Sequence, residues 1–235
     1  MQMGFGFGAL DDIRWVRSQL DTHFGSPGAI YRRSPVGQLV KSSISSRTQD
    51  SVSLAAYGRL IETFPSWAEL AAASADQVES AIADVTFPDV KARHLLDALR
   101  MIAADHPDFD LGFLADMNIA HAKAWLEHLP GVGPKVAASA LNFSTLAMPA
   151  FVVDTHILRI LRRYGFIRGK ADIAVAYDTI MEMAPWEADD LAELHMLMKR
   201  LGQTICRADH PDCRICPLRR KCKVASQVRS SKSSI

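Results

Sequence analysis

The chain has 235 residues, is 49% hydrophobic and carries a formal net charge of +1. That length admits one large domain or two modest ones with ample core, and no apolar run is long enough to span a membrane. The charge is unevenly spread: from position 199 onward ten Lys or Arg stand against two acids, so a basic segment follows an acidic body and points to phosphate contact.

The first ten residues lack a charged leader, and Asp11 and Asp12 interrupt any apolar run, so no signal peptide is expected. Ile13, Val16 and Leu20 give helical spacing over 10–24, ended by Gly25, Ser26 and Pro27. Helices are predicted over 36–45 and 51–64, separated by the polar stretch 46–50. Ser66 with Glu69, and Ser74 with Gln77, have capping-box spacing and each opens a short helix. Further helices are predicted over 88–103, 111–116, 120–129, 135–146, 154–164, 171–183 and 188–202. Alternating Val, Ile and Thr runs bounded by hairpin turns do not occur, so the fold class is all-α. Trp67, Trp125 and Trp186 read as core, and the Ser-rich, basic stretch 226–235 reads as a disordered tail.

Chemistry concentrates in three places. Leu129-Pro130-Gly131-Val132-Gly133-Pro134-Lys135 joins two predicted helices. Glycines one residue apart permit a sharp turn, and Pro134 suits a first helical turn. Gly131, Val132 and Gly133 would then present backbone N–H groups to a phosphate without reading sequence, as a helix–hairpin–helix does. Val152-Val153-Asp154-Thr155-His156-Ile157 puts an acid at a helix start, where Asp154 serves as an N-cap and His156 supports the turn. Finally, the four cysteines, Cys206, Cys213, Cys216 and Cys222, all fall within seventeen residues as C-x6-C-x2-C-x5-C. Such crowding marks a metal ligand set in a reducing cytoplasm. Zinc and a [4Fe–4S] cluster both accept four thiolates; a single close pair flanked by wider cysteines favours iron–sulfur.

Taken in this order, LPGVGPK, VDTHI and the cysteine quartet resemble the endonuclease III branch of the helix–hairpin–helix (HhH-GPD) DNA glycosylases, over about 34–222. The resemblance implies two helical domains flanking a DNA-binding cleft. One would be a six-helix barrel over 34–148 carrying the hairpin, the other a discontinuous cluster domain of 1–33 with 149–225. It implies Lys135 as nucleophile, Asp154 as acid–base group and a [4Fe–4S] cluster on the four cysteines. It also implies duplex DNA with a damaged or mismatched base as partner, a monomer without membrane association, and a bacterial, nucleoid-associated cytoplasmic location. A lysine attacking C1′ must be partly deprotonated, a state that burial or a helix N-terminus favours.

Many family members place Gln in the loop that fills the space left by a flipped base; Arg47 stands at that position here, and Arg donates well to guanine. Phe87 stands at the second, intercalating position. Arg219, Arg220 and Lys221 lie in the last cysteine loop, poised for phosphates. The expected activity is a bifunctional glycosylase and AP lyase, most readily for an oxidised pyrimidine. Open alternatives are mismatched thymine or uracil, a deaminated or modified base, or a non-catalytic DNA-binding or redox-sensing module.

Overall fold

The computed structural model describes residues 8–226, with side chains from residue 11. In chain order the described helices are α1 (Gly8–Phe24), α2 (Pro35–Ile44), α3 (Asp50–Thr63), α4 (Trp67–Ala72), α5 (Ala75–Ala81) and α6 (Pro88–Asp105). A 3-10 turn (Gly112–Asp116) precedes α7 (Ile119–Glu127), α8 (Pro134–Asn142), α9 (Thr155–Tyr164), α10 (Ile173–Met181) and α11 (Ala188–Thr204). Among the described residues the only β-type pairing is an isolated bridge between Arg33 and Ser144. The all-α expectation holds. No helix among the described residues is long and apolar enough to cross a membrane.

Contacts divide the chain into two units, Tyr31–Ala150 and the residues on either side of it. In the continuous unit α2 is central and packs against α3, α6 and α8; α4 and α5 pack on α6, and α7 on α8. Ser34 caps α2 by accepting the Gly37 N–H at 3.2 Å, and Pro35 occupies the first turn. Val36, Leu39, Val40 and Ile44 are buried, yet so are Gln38 and Ser42 on the same helix. These polar groups close on α8: Gln38 Nε2 donates to Ser42 Oγ at 3.1 Å and to Ser139 Oγ at 2.9 Å, and the two serines bond at 2.8 Å. An unsatisfied buried polar group costs about 1–3 kcal/mol, so this triad fixes the register of α8 on α2.

Local chemistry explains where the predicted boundaries shift. Ser74 and Gln77 form a reciprocal capping box, whereas the Glu69 carboxylate takes the Ser66 hydroxyl at 2.8 Å instead of the backbone N–H. The segment after Leu111 is a single 3-10 turn, begun where Asp110 Oδ1 accepts the Gly112 N–H at 2.8 Å. α8 stops at Asn142, not at 146, where the backbone groups that would continue it are engaged by the segment before α2. Arg32 Nη1 bonds the carbonyls of Asn142 and Ser144, and Thr145 N–H bonds Arg33 O at 2.8 Å.

The discontinuous unit packs α1, α9 and α11 around Ile13, Val16, Leu20, Ile157, Leu161, Leu194, Leu197 and Met198, with α10 against α9. Arg17 reaches Asp190 at 2.5 Å and Glu193 at 2.6 Å, tying α1 to α11. Gly165, at φ 109°, ends α9 in the left-handed conformation, with the N–H groups of Gly165 and Phe166 on Leu161 O. Trp186 is half-buried, its Nε1 donating to Ile180 O at 2.7 Å, and Trp67 and Trp125 are also half-buried rather than core. The tail expected from 226 lies outside the described residues except for Ser226, whose N–H bonds Cys222 O at 3.1 Å.

Candidate functional site

In the continuous unit, the hairpin turns through Leu129 N–H to Leu126 O and Val132 N–H to Leu129 O, both at 3.1 Å, with both side chains buried. Its two glycines play different parts. Gly131 sits at φ +74°, and a Cβ there would lie 2.6 Å from His94 Cβ, so the hairpin is pressed onto α6. Gly133 has an ordinary φ of −102° and nothing within 4 Å of an added Cβ. The fold does not demand glycine there; open space over the backbone does suit a close-approaching ligand. α8 begins at Pro134 with no side-chain cap at Gly133, and the Val136 and Ala137 N–H groups close its first turn on Gly133 O at 2.9 and 3.0 Å. The positive end of the helix therefore lies at the hairpin, where an anion is favoured. Lys135, half-buried, occupies that first turn.

Asp154 belongs to the other unit. The segment leading to it is pinned by the buried Val152 and Val153 and by a 2.8 Å bond between Val152 O and His195 Nδ1. Asp154 is half-buried and caps α9, Oδ1 accepting the Ile157 N–H at 2.9 Å. His156 lies in the first turn of α9 and packs toward α11. Its Nδ1 contacts Arg159 Nη2 at 3.1 Å, and its Cβ would lie 2.7 Å from a Cβ on Gly202.

Cys206, Cys213, Cys216 and Cys222 line one cavity together with Ile205, Pro211 and Val224, and each is half-buried. Among the described residues no three ligating side chains converge as a single ion would require. The donor set nonetheless fits a cofactor held by four thiolates: one cavity, apolar walls and a cation at its edge. Arg163 Nη1 lies 3.6 Å from Cys206 Sγ and donates to Arg207 O at 2.6 Å, while Nη2 donates to Ala208 O at 2.6 Å. Arg159 holds Gly202 O at 2.8 Å and Cys206 O at 2.9 Å, so two arginines of α9 fix the start of the cysteine loop. Burial, with the neighbouring thiols adding, pushes the Cys216 thiol up to about 11 and the Cys213 thiol upward. Beyond the third cysteine, Arg219 donates to Arg214 O at 2.9 Å and Arg220 is exposed. Lys221 pairs with Asp12 at 2.6 Å and lies 5.1 Å over the Trp15 ring, which anchors the loop to α1.

Arg47 and Phe87 stand in two loops of the continuous unit, and both adopt left-handed backbone, φ +55° and +56°. Such geometry costs a non-glycine residue roughly 1–3 kcal/mol and persists only where surroundings hold it. Arg47 is exposed, and Phe87 is 56% exposed, too open to be a core residue. Thr86 joins the loops, its N–H bonding Thr48 Oγ1 at 3.1 Å and its Oγ1 donating to Arg47 O at 2.8 Å. Lys91 Nζ donates to Ile44 O at 2.8 Å, Ser46 O at 2.7 Å and Thr48 Oγ1 at 3.0 Å. Burial lowers its pKa to about 8. Sequence reasoning placed both loops but missed Lys91, Thr86 and the Gln38–Ser42–Ser139 triad. Polar residues four apart on an otherwise apolar helix were the available signal for the triad.

The family model described as HhH-GPD superfamily base excision DNA repair protein matches residues 40–185, more than half of the chain. The chain is 27% identical to endonuclease III of Rickettsia felis over 187 residues, 79% of this chain and 81% of the relative. It is 30% identical over 189 residues to an Arabidopsis thaliana protein provisionally named a DNA glycosylase, covering 80% of this chain but 61% of that relative's length. A solved endonuclease III, trapped as a covalent intermediate with DNA, superposes with a TM-score of 0.79 at 23% identity, covering 94% of this chain and 98% of that one.

Proposed function

This chain belongs to the HhH-GPD superfamily of base excision DNA repair proteins, and from that premise we propose that it is a DNA glycosylase and AP lyase acting on a damaged base in duplex DNA. What carries the reading is that the matched span, 40–185, contains both Lys135 and Asp154, each at the start of an α-helix. A base stacked in a duplex cannot be attacked at its sugar, so the nucleotide is turned out of the helix and the gap filled. Gly131 and Gly133 hold a phosphate through backbone amides, Val132 shapes the turn with its N–H on Leu129 O, and Arg47 and Phe87 fill the gap.

Lys135 is the nucleophile. Its Nζ lone pair forms a bond to C1′ as the N-glycosidic bond breaks and the base leaves with that bond's electrons. Loss of the amine proton and opening of the sugar give a Schiff base on Nζ. Removal of a C2′ proton then expels the 3′ phosphate by β-elimination. Asp154, ionised, stabilises the positive charge that grows on the sugar and assists proton transfers. The four cysteines would hold a [4Fe–4S] cluster, which would supply a rigid cross-link within the basic loop after α11, while Arg159 and Arg163 of α9 hold the start of that loop. Arg219, Arg220 and Lys221 present that loop to the backbone phosphates, Lys221 by exchanging Asp12 for phosphate.

The substrate is proposed to be an oxidised pyrimidine. Duplexes carrying thymine glycol, dihydrouracil, uracil, hypoxanthine and mismatched thymine test it: cleavage of the first two is expected. Borohydride should trap the wild-type enzyme on the cleaved substrate and fail to trap Lys135→Ala. Equal trapping of both would sink the Schiff-base mechanism, and cleavage of no duplex would favour a binding module.

A further inference from the structure

We propose that Lys91, with Thr48 and Thr86, is a positioning residue that clasps the loops of Arg47 and Phe87 into one preformed wedge for the gap in a duplex. The proposal rests on the reading of those two side chains as gap fillers.

An ammonium group has three N–H donors. Lys91 commits all three to neutral oxygens of a single stretch of chain, Ile44 O, Ser46 O and Thr48 Oγ1, at 2.7–3.0 Å. Two of these are backbone carbonyls at and just past the C-terminal end of α2, where a cation is favoured by the helix dipole. A lysine serving as a phosphate contact would leave its head in solvent; this one is half-buried among the loop's own acceptors. Its backbone serves the other loop, because Lys91 N–H bonds Phe87 O at 3.1 Å in the first turn of α6. Lys91 therefore holds Phe87 by its main chain and the Arg47 loop by its side chain.

Thr86 completes the clasp from the opposite direction. It immediately precedes Phe87, and its hydroxyl takes the carbonyl of Arg47 itself. Thr48 Oγ1 is the shared node, accepting both the Thr86 N–H and a Lys91 donor. Five hydrogen bonds thus tie together two loop tips whose residues both stand in the left-handed region. Loops so held need no ordering when DNA arrives, and preorganisation of this kind appears as affinity for the one ligand that uses both tips. That ligand is a duplex with a gap in its stack, not an intact duplex.

The experiment compares the full chain with Lys91→Met and Thr86→Val on a duplex containing a tetrahydrofuran abasic analogue and on the same duplex intact. Both variants should bind the abasic duplex about tenfold more weakly and the intact one as wild type does. Amide exchange at Thr48, Thr86 and Phe87 should accelerate in both, and Thr86→Ser should restore wild-type behaviour. Thr86 is exposed, so Thr86→Val keeps the test alive if Lys91→Met folds poorly. Wild-type exchange and affinity in both variants would overturn the clasp, as would equal losses on the two duplexes, the mark of a phosphate contact. Arg47→Ala and Phe87→Ala separate the clasp from the reading beneath it. If these lose abasic-duplex affinity while the clasp variants do not, the wedge stands and the clasp falls; if they bind like wild type, the wedge reading itself fails.

Discussion

At the scale of single residues, the two hairpin glycines separate structure from binding. Gly131→Ala adds a methyl that would sit 2.6 Å from His94 Cβ at a φ of +74°. It should cost about 2 kcal/mol or more in denaturant unfolding. Gly133→Ala meets no neighbour and needs no unusual φ, so stability should hold within about 0.5 kcal/mol while affinity for duplex drops about tenfold. Full affinity in Gly133→Ala would remove the backbone anion site from that loop. Asp154 has two duties that one substitution divides. Asn caps helices as well as Asp, so Asp154→Asn should retain its melting temperature and lose roughly a hundredfold or more in turnover. Asp154→Ala should lose about 1 kcal/mol of stability as well. If the Asn variant turns over like wild type, Asp154 is a cap and nothing more. Which residues to suspect was legible here, because glycine pairs, caps and thiols carry their chemistry in their identity. The difference between Gly131 and Gly133 was not, since it depends on His94, which lies 37 positions from Gly131 in the chain.

Among elements, α6 and α9 do the most positioning. Burial holds Lys91 on α6 near 8, against an ordinary 10.5. Between those values the folded chain has already released a proton that the unfolded chain still binds. The sign follows: over that interval stability rises with pH for a protein that has this lysine, relative to one that lacks it. The difference in unfolding free energy between wild type and Lys91→Met should therefore move in favour of wild type from about pH 8 to about pH 10. A constant difference would mean that the ammonium is not shifted by folding. α9 is capped by Asp154 and, in its last turn, sets Arg163 on the cysteine loop. Arg163→Met should lower the iron retained per chain and leave the melting of the continuous unit unchanged, checked by iron analysis and calorimetry. Helix existence was readable from periodicity and caps for all of these elements. Their ends were less so: α8 is cut short by Arg32 and Arg33, more than a hundred positions upstream.

For the whole molecule, the division into a continuous and a discontinuous unit predicts unequal damage on cofactor loss. Cys213→Ser should release iron and make the residues flanking the continuous unit sensitive to protease, while 31–150 survives as a fragment. A Cys213→Ser protein that binds duplex DNA, resists protease and contains no iron would contradict the bracing role of the cluster. Because the excess positive charge is concentrated after position 199, neutralising Arg219 and Arg220 should reduce the salt dependence of duplex binding more than a net charge of +1 suggests.

The sequence by itself determined the helical class, most helix starts, the hairpin, the acid at the head of α9 and the grouping of four thiols. Each depends on neighbours within a turn or two, and short-range chemistry is written in residue order. Tertiary structure alone decided what lies between distant segments. It showed Gln38, Ser42 and Ser139 satisfying one another inside a helix pair, Arg159 and Arg163 holding the cysteine loop, and two loops joined by three bonds from Lys91 and two from Thr86. A buried donor must find an acceptor somewhere, but only the folded path of the chain says where.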